Sequence, residues 1–262
     1  MSDALVIVGS RSSVATKLAA AKPITPRTPA EIREIFARRT DGVWLASKVG
    51  ALAPLAGLAS PLASKQRLLL LSPADAGDRD FLRVVFRYVV DPTEVRLLPT
   101  RELLEVLASP DRADRFIGGA VAENTESVVL YRGTLDPVVV PKAWFVPRPK
   151  GPKPDFGDLE VIDFGQTVRL GEYEAASDAI LYEFDPAYRR RARRLRIDQD
   201  RSFGGALRRL RLQKGLSRSD FPGISAKQVA RLERGESGKP HSATLKILAD
   251  RLGVAPADIA SY

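Results

Sequence analysis

Cysteine is absent from the 262 residues, and histidine occurs once, as His241. The first absence excludes disulfide scaffolds, thiolate metal sites and cysteine nucleophiles. The second excludes multi-histidine metal centres and speaks against a histidine-based triad. No catalytic residue, metal site or cofactor is therefore read from the sequence. Long apolar runs are missing too. The longest uncharged stretch, VGALAPLAGLASPLAS at 49–64, is interrupted by Pro54 and Pro61 and is too short to span a membrane. The opening residues MSDALVIVGS lack the basic and apolar regions of a secretory signal, so a cytoplasmic location is expected.

The residues that are present describe a soluble globular chain. Hydrophobic residues make up 44% and charged residues 28%, enough to bury a real core in one large domain or in two to three small ones. The net charge of +9 is unevenly placed. Residues 185–262 hold 18 Lys+Arg against 8 Asp+Glu, whereas residues 1–184 hold 23 against 24. All of the excess positive charge thus sits in the last 78 residues, which points to a polyanionic partner for that part alone. The bland reading of the same count is a solubilising charged face.

Along residues 1–109 the apolar runs ALVIV (4–8), VWLA (43–46) and LLLL (68–71) suit strands buried on both faces. Helical patterns lie between and after them: TPAEIREIFARR, with Thr28 as cap and Pro29 at the first helical position, and TRELLEVLA at 100–108. This alternation predicts an α/β layer with a mainly parallel sheet. Residues 110–184 read as antiparallel strands and hairpins broken by Gly119, Gly133 and Pro137, with an exposed Pro/Gly/Lys-rich connector at 147–158 and an acidic, alanine-rich helix at the end. Through VVVPKAWF and YEAASDAILYE, residues 112–184 resemble a small bacterial α+β domain of unknown function that occurs alone or fused to helix-turn-helix modules. The expected fold is an α/β (α+β) body followed by an all-α C-terminal domain.

Asp185 and Pro186 open a basic linker helix, 185–201, that contains RRRARRLR (189–196). Two readings of that run stay open: arginines lying along phosphates or reaching a minor groove, or a solvated linker helix with Tyr188 as its one nearby aromatic. From Ser202 the pattern is helical in short segments. Ser202 caps FGGALRRLRLQK and Gly215 ends it; SRSD (217–220) and SAKQ (225–228) fit capping boxes; Leu245, Leu248 and Leu252 line a fourth helix ended by Gly253; Pro256 opens a fifth, with Ile259 inward. Five helices are expected in residues 202–262.

The ordered segments LRRLRLQKGLS, ISAKQVARLERGE and TLKILADRLGV resemble the Cro/repressor-like (Xre) helix-turn-helix domains. The resemblance implies a structural pair, Arg211 with Glu233, that holds the first helix against the recognition helix. It implies base contacts from Ala226, Lys227 and Arg231, and phosphate contacts from Arg218, Ser225, Gln228, Arg234 and Lys239. The chemistry agrees: Lys and Arg donate to guanine O6 and N7, and an alanine methyl packs on thymine. One departure stands out. Between Ser217 and Ser225 lies only RSDFPGI, about three residues short of the family spacing, which truncates the second helix to little more than a turn.

Other motifs carry less. VIVGSRSSVATKL is a strand, a Gly/Ser turn and a helix start, but it matches neither nucleotide-binding fingerprint. Asp75, Asp78 and Asp80 lack calcium-loop spacing, and helix capping by Asp78 is the better account. Trp44 and Trp144 are read as core residues. The function expected is a bacterial sequence-specific transcriptional regulator without enzymatic activity. It would bind an inverted repeat in double-stranded DNA as a homodimer, with a ligand, partner or dimer contact on residues 1–184. The alternatives are an antitoxin that neutralises a toxin and represses its own operon, and an enzyme that uses the GSRSS loop on a nucleotide.

Overall fold

Wholly apolar strands form where both sheet faces are covered, and the N-terminal runs obey this. In the computed structural model, which describes residues 4–9, 12–38, 41–58, 65–237 and 240–261, β1 (Leu5–Val8), β2 (Asp41–Ala46), β3 (Lys65–Leu70) and β4 (Tyr88–Val90) build one parallel sheet in that spatial order. Between β1 and β2 lie α1 (Ser12–Lys17) and α2 (Pro29–Arg38). A 3-10 helix, Val49–Leu55, joins β2 to β3, and α3 (Ala76–Val85) joins β3 to β4.

Thr28 Oγ1 accepts the Glu31 N–H at 3.2 Å, and the Glu31 carboxylate accepts the Arg27 N–H at 2.7 Å, so the start of α2 is closed by its own residues. Capping of α3 corrects the expectation for Asp78. Asp75 is the cap; its carboxylate accepts the Asp78 N–H at 2.7 Å, and Asp78 stands in the first helical turn. Trp44 is fully buried, edge-on to Phe36 and Phe86, with its Nε1 donating to Gln66 Oε1 at 2.7 Å.

The next strands are antiparallel. β5 (Arg96–Leu97), β6 (Phe116–Ala122), β7 (Ser127–Arg132) and β8 (Pro137–Pro141) form a four-stranded sheet in that order, with α4 (Thr100–Ala108) between β5 and β6. Both prolines of β8 sit on an edge strand, where a missing N–H is tolerated. β9 (Leu159–Ile162), β10 (Thr167–Leu170) and β11 (Tyr173–Ala176) make a third sheet, followed by α5 (Ser177–Phe184). The alanine-rich segment therefore divides, extended to Ala176 and helical only from Ser177. Trp144 is half-buried, edge-on to Phe145 and Phe184. The chain forms two compact units, residues 1–186 and 187–262. A junction expected between 109 and 110 falls within the first, since β5 before it pairs with β6 after it.

From Ala187 onward the second unit is helical: α6 (Pro186–Gln199), α7 (Phe203–Gln213), α8 (Ala226–Glu233), α9 (Ser242–Leu252) and a closing 3-10 turn, Asp258–Ser261. Its core joins Leu207, Leu210, Phe221, Ile224, Val229, Leu232, Leu248, Leu252 and Ile259. Ser202 caps α7 by accepting the Gly205 N–H at 3.1 Å, and Gly215 (φ 66°) and Gly253 (φ 67°) turn the chain out of α7 and α9. The expectation of five helices is corrected. Among the described residues of 202–262 there are three α-helices and a 3-10 turn, and the segment between α7 and α8 consists of turns. Seven residues, one of them Pro222 without an N–H and another Gly223 at φ 73°, are too few and too irregular to close helical hydrogen bonds.

Candidate nucleic-acid interface

α8 is amphipathic. Ser225 Oγ accepts the Gln228 N–H at 3.2 Å and fixes where it begins. Val229, Ala230, Leu232 and Glu233 are buried, while Ala226, Lys227, Gln228 and Arg231 are exposed. Lys227 and Arg231, four residues apart, share a face. No residue larger than glycine fits at the crossing of α7 with the end of α8: a Cβ on Gly204 would lie 2.4 Å from the Leu232 carbonyl oxygen.

Behind the exposed face the structure brings Arg211, Glu233 and Arg218 together. The side chains of Arg211 and Glu233 are 7% and 1% exposed. Arg211 Nε donates to Glu233 Oε1 at 2.5 Å and Nη2 to Oε2 at 3.3 Å, while Nη1 donates to the Leu216 carbonyl at 2.8 Å. The buried guanidinium thus ties α7, the following turn and α8 into one network. Arg218, expected at a phosphate, donates its Nε to Glu233 Oε2 at 2.8 Å, and its side chain is 40% exposed. Burial alone raises the Glu233 pKa, but hydrogen bonds from Arg211 and Arg218 and their two charges outweigh it and hold the carboxyl below its ordinary value.

The segment 217–225 is pinned in place of a helix. Ser217 N–H donates to Asp220 Oδ2 at 2.7 Å, the backward half of a capping box, but Ser217 Oγ meets Ser219 Oγ at 2.8 Å instead of capping forward. That backbone donor is the main cause holding the Asp220 pKa below its ordinary value. Arg251 Nε on α9 donates to the Asp220 carbonyl at 2.8 Å, and Phe221 and Ile224 are buried in the core. These anchors set the angle at which α8 leaves the turn. Sequence reasoning passed over both Arg251 and Phe221; the signal available for Phe221 was that it and Ile224 are the two large apolar residues between the capping serines.

The remaining site residues lie at the end of α8 and beyond. Arg234 is exposed and makes a bidentate pair with Glu236, Nε to Oε1 at 2.5 Å and Nη2 to Oε2 at 2.9 Å, across the Gly235 turn. That hydrogen-bonded charge raises the Arg234 pKa and lowers that of Glu236. Lys239 lies outside the described residues. No helix among the described residues is long and apolar enough to cross a membrane.

A family model described as a helix-turn-helix domain matches residues 202–261. None of the curated proteins and none of the solved structures matches the chain. Residues 202–261 are thus a helix-turn-helix domain, a fold whose second helix of the motif enters the DNA major groove.

Proposed function

We propose that the protein is a sequence-specific DNA-binding regulator of transcription, of the Cro/repressor-like kind and without enzymatic activity, and that α8 is its recognition helix. One observation carries this reading: α8 presents Ala226, Lys227, Gln228 and Arg231 to solvent while its opposite face is locked by Val229, Leu232 and the buried Glu233. Rigid backing matters because base reading needs side chains held in register with base edges.

In this mechanism phosphate contacts set register and base contacts select sequence. The Ser225 cap and the first turn of α8 face phosphate, with Gln228 beside them. Arg231 and Lys227 donate to guanine O6 and N7, and Ala226 packs on a thymine methyl. Arg218 stays on Glu233 through Nε and reaches a phosphate with its outer nitrogens, and Arg234 and Lys239, which follow α8 in the sequence, add further phosphate contacts. A homodimer on an inverted repeat doubles the interface, and residues 1–186 couple occupancy to a ligand or partner.

Selection of duplexes from a random pool by the purified full-length protein tests the reading. The expected result is an enriched, two-fold symmetric motif. Recovery of the pool without enrichment, at a salt where the protein still binds, overturns it.

A further inference from the structure

The arginine run in α6 plays no part in the mechanism above, yet it is the most charged stretch of the chain. Arg189, Arg190, Arg191, Arg193, Arg194 and Arg196 follow one another with no acid between Pro186 and Ile197. At 100° per residue they occupy a broad arc, and Tyr188, Ala192 and Leu195 fill the narrow remainder. Arg190, Arg194 and Arg196 are exposed. Arg190 and Arg194, both exposed, lie four residues apart on one face, so like-charge repulsion opposes this stretch of the helix. Repulsion of that kind is relieved by a polyanion. Six charges in the eight residues 189–196, at ~1.5 Å rise per residue, give one positive charge per ~2 Å of helix. Duplex DNA carries one negative charge per ~1.7 Å of its axis. The two charge densities are of similar size.

The far end of α6 is fastened to the helix-turn-helix core. Arg209 on α7 donates to the carbonyls of Asp198 and Asp200, the Asp200 carboxylate accepts the Ser202 N–H at 2.9 Å, and Gly205 is packed against Asp200 too closely for a Cβ. α6 from Ala187 onward belongs to the same compact unit as the recognition helix. We infer that α6 is a second, sequence-independent DNA contact, whose arginines bind the phosphate backbone and add affinity without adding specificity. The inference rests on the DNA-binding reading of the preceding subsection and deepens it.

The test uses the full-length chain with Arg190→Gln, Arg194→Gln and Arg196→Gln combined, and as a charge-retaining control the same three positions changed to Lys. Affinity for the selected duplex and for a random duplex is followed by fluorescence anisotropy from about 50 to about 200 mM salt. Three lost phosphate contacts lower the slope of log affinity against log salt by about 2.7, so the parent loses roughly 40-fold more affinity than the Gln variant across that range. The selected sequence stays the same, and the Lys variant keeps the parent slope. A Gln variant whose slope lies within about 0.5 of the parent's overturns the inference while leaving the regulator reading intact. A slope change seen on both duplexes in a protein that selects no sequence sinks the regulator reading and keeps the phosphate contact. Vesicles of phosphatidylserine in phosphatidylcholine form a further arm. Loss of vesicle binding in the Gln variant with an unchanged DNA slope makes the partner a membrane surface and overturns the inference.

Discussion

Removing the Glu233 carboxylate perturbs the second unit at its most connected point. In Glu233→Ala two guanidinium groups lose their acceptor together. Arg218, 40% exposed, turns to water at little cost, but Arg211, 7% exposed, stays buried with an uncompensated charge. Breaking one side of a buried pair costs about 3–5 kcal/mol. In a domain of this size each kcal/mol lowers the melting temperature by about 4–8 °C, so the variant loses most of its thermal range. The same geometry ranks the partners: Arg211→Ala costs more than Arg218→Ala, because only Arg211 also holds the Leu216 carbonyl. Arg211→Met combined with Glu233→Leu removes both buried charges and recovers most of the loss. Acid has a related effect. The Glu233 carboxyl is lowered from its ordinary value of 4.5, so its stabilisation is complete above that pH and disappears as pH falls through the lowered value. Glu233→Gln is less stable at neutral pH and shows a flatter decline of stability below pH 4.5. Thermal melts of the full-length variants, followed by far-ultraviolet circular dichroism, measure all of this. A Glu233→Ala protein melting within about 2 °C of the parent refutes the network.

Gly204→Ala places a Cβ 2.4 Å from the Leu232 carbonyl and forces α7 away from α8; chemical denaturation shows a loss well above the ~1 kcal/mol of an ordinary helix defect, whereas Gly215→Ala, with open space around it, costs about 1 kcal/mol. Ser225→Ala removes a real cap and costs about 1 kcal/mol by the same assay, while Ser217→Ala, whose hydroxyl meets only Ser219, costs less than half of that. A fragment of residues 185–262 retains duplex DNA affinity in gel-shift experiments and a fragment of residues 1–184, near charge balance, has none; affinity in the body reverses the division of labour.

Much of the fold was legible because its signals are local. The runs ending at Val8, Ala46 and Leu71 are apolar throughout, which is the mark of strands covered on both sides, and Ser202, Ser225, Gly215 and Gly253 announce helix ends by chemistry that acts within a turn. What escaped depends on distance or on competition. β5 is two residues long, too short for any periodicity, and its pairing with β6 across twenty intervening residues could be seen only in three dimensions. Asp75 and Asp78 are equally good caps by type; which one serves depends on where the chain leaves β3. SRSD carries a capping-box pattern, but Pro222 and Gly223 follow too soon for a helix to propagate. At the interface, the exposure of Lys227 and Arg231 followed from the period of α8. Attachment of Arg218 to Glu233 did not, because an exposed-looking arginine reveals its partner only once the turn is built.

The central claim is that α8 reads bases rather than merely holding phosphate, and Arg231 tests it most directly. Duplex selection is repeated with full-length Arg231→Ala, a change at an exposed position that leaves the Glu233 network intact. The account predicts a loss of about 1–3 kcal/mol on the parent's selected site together with relaxed preference at one base position in each half-site. Weaker binding with every position of the selected motif unchanged contradicts it.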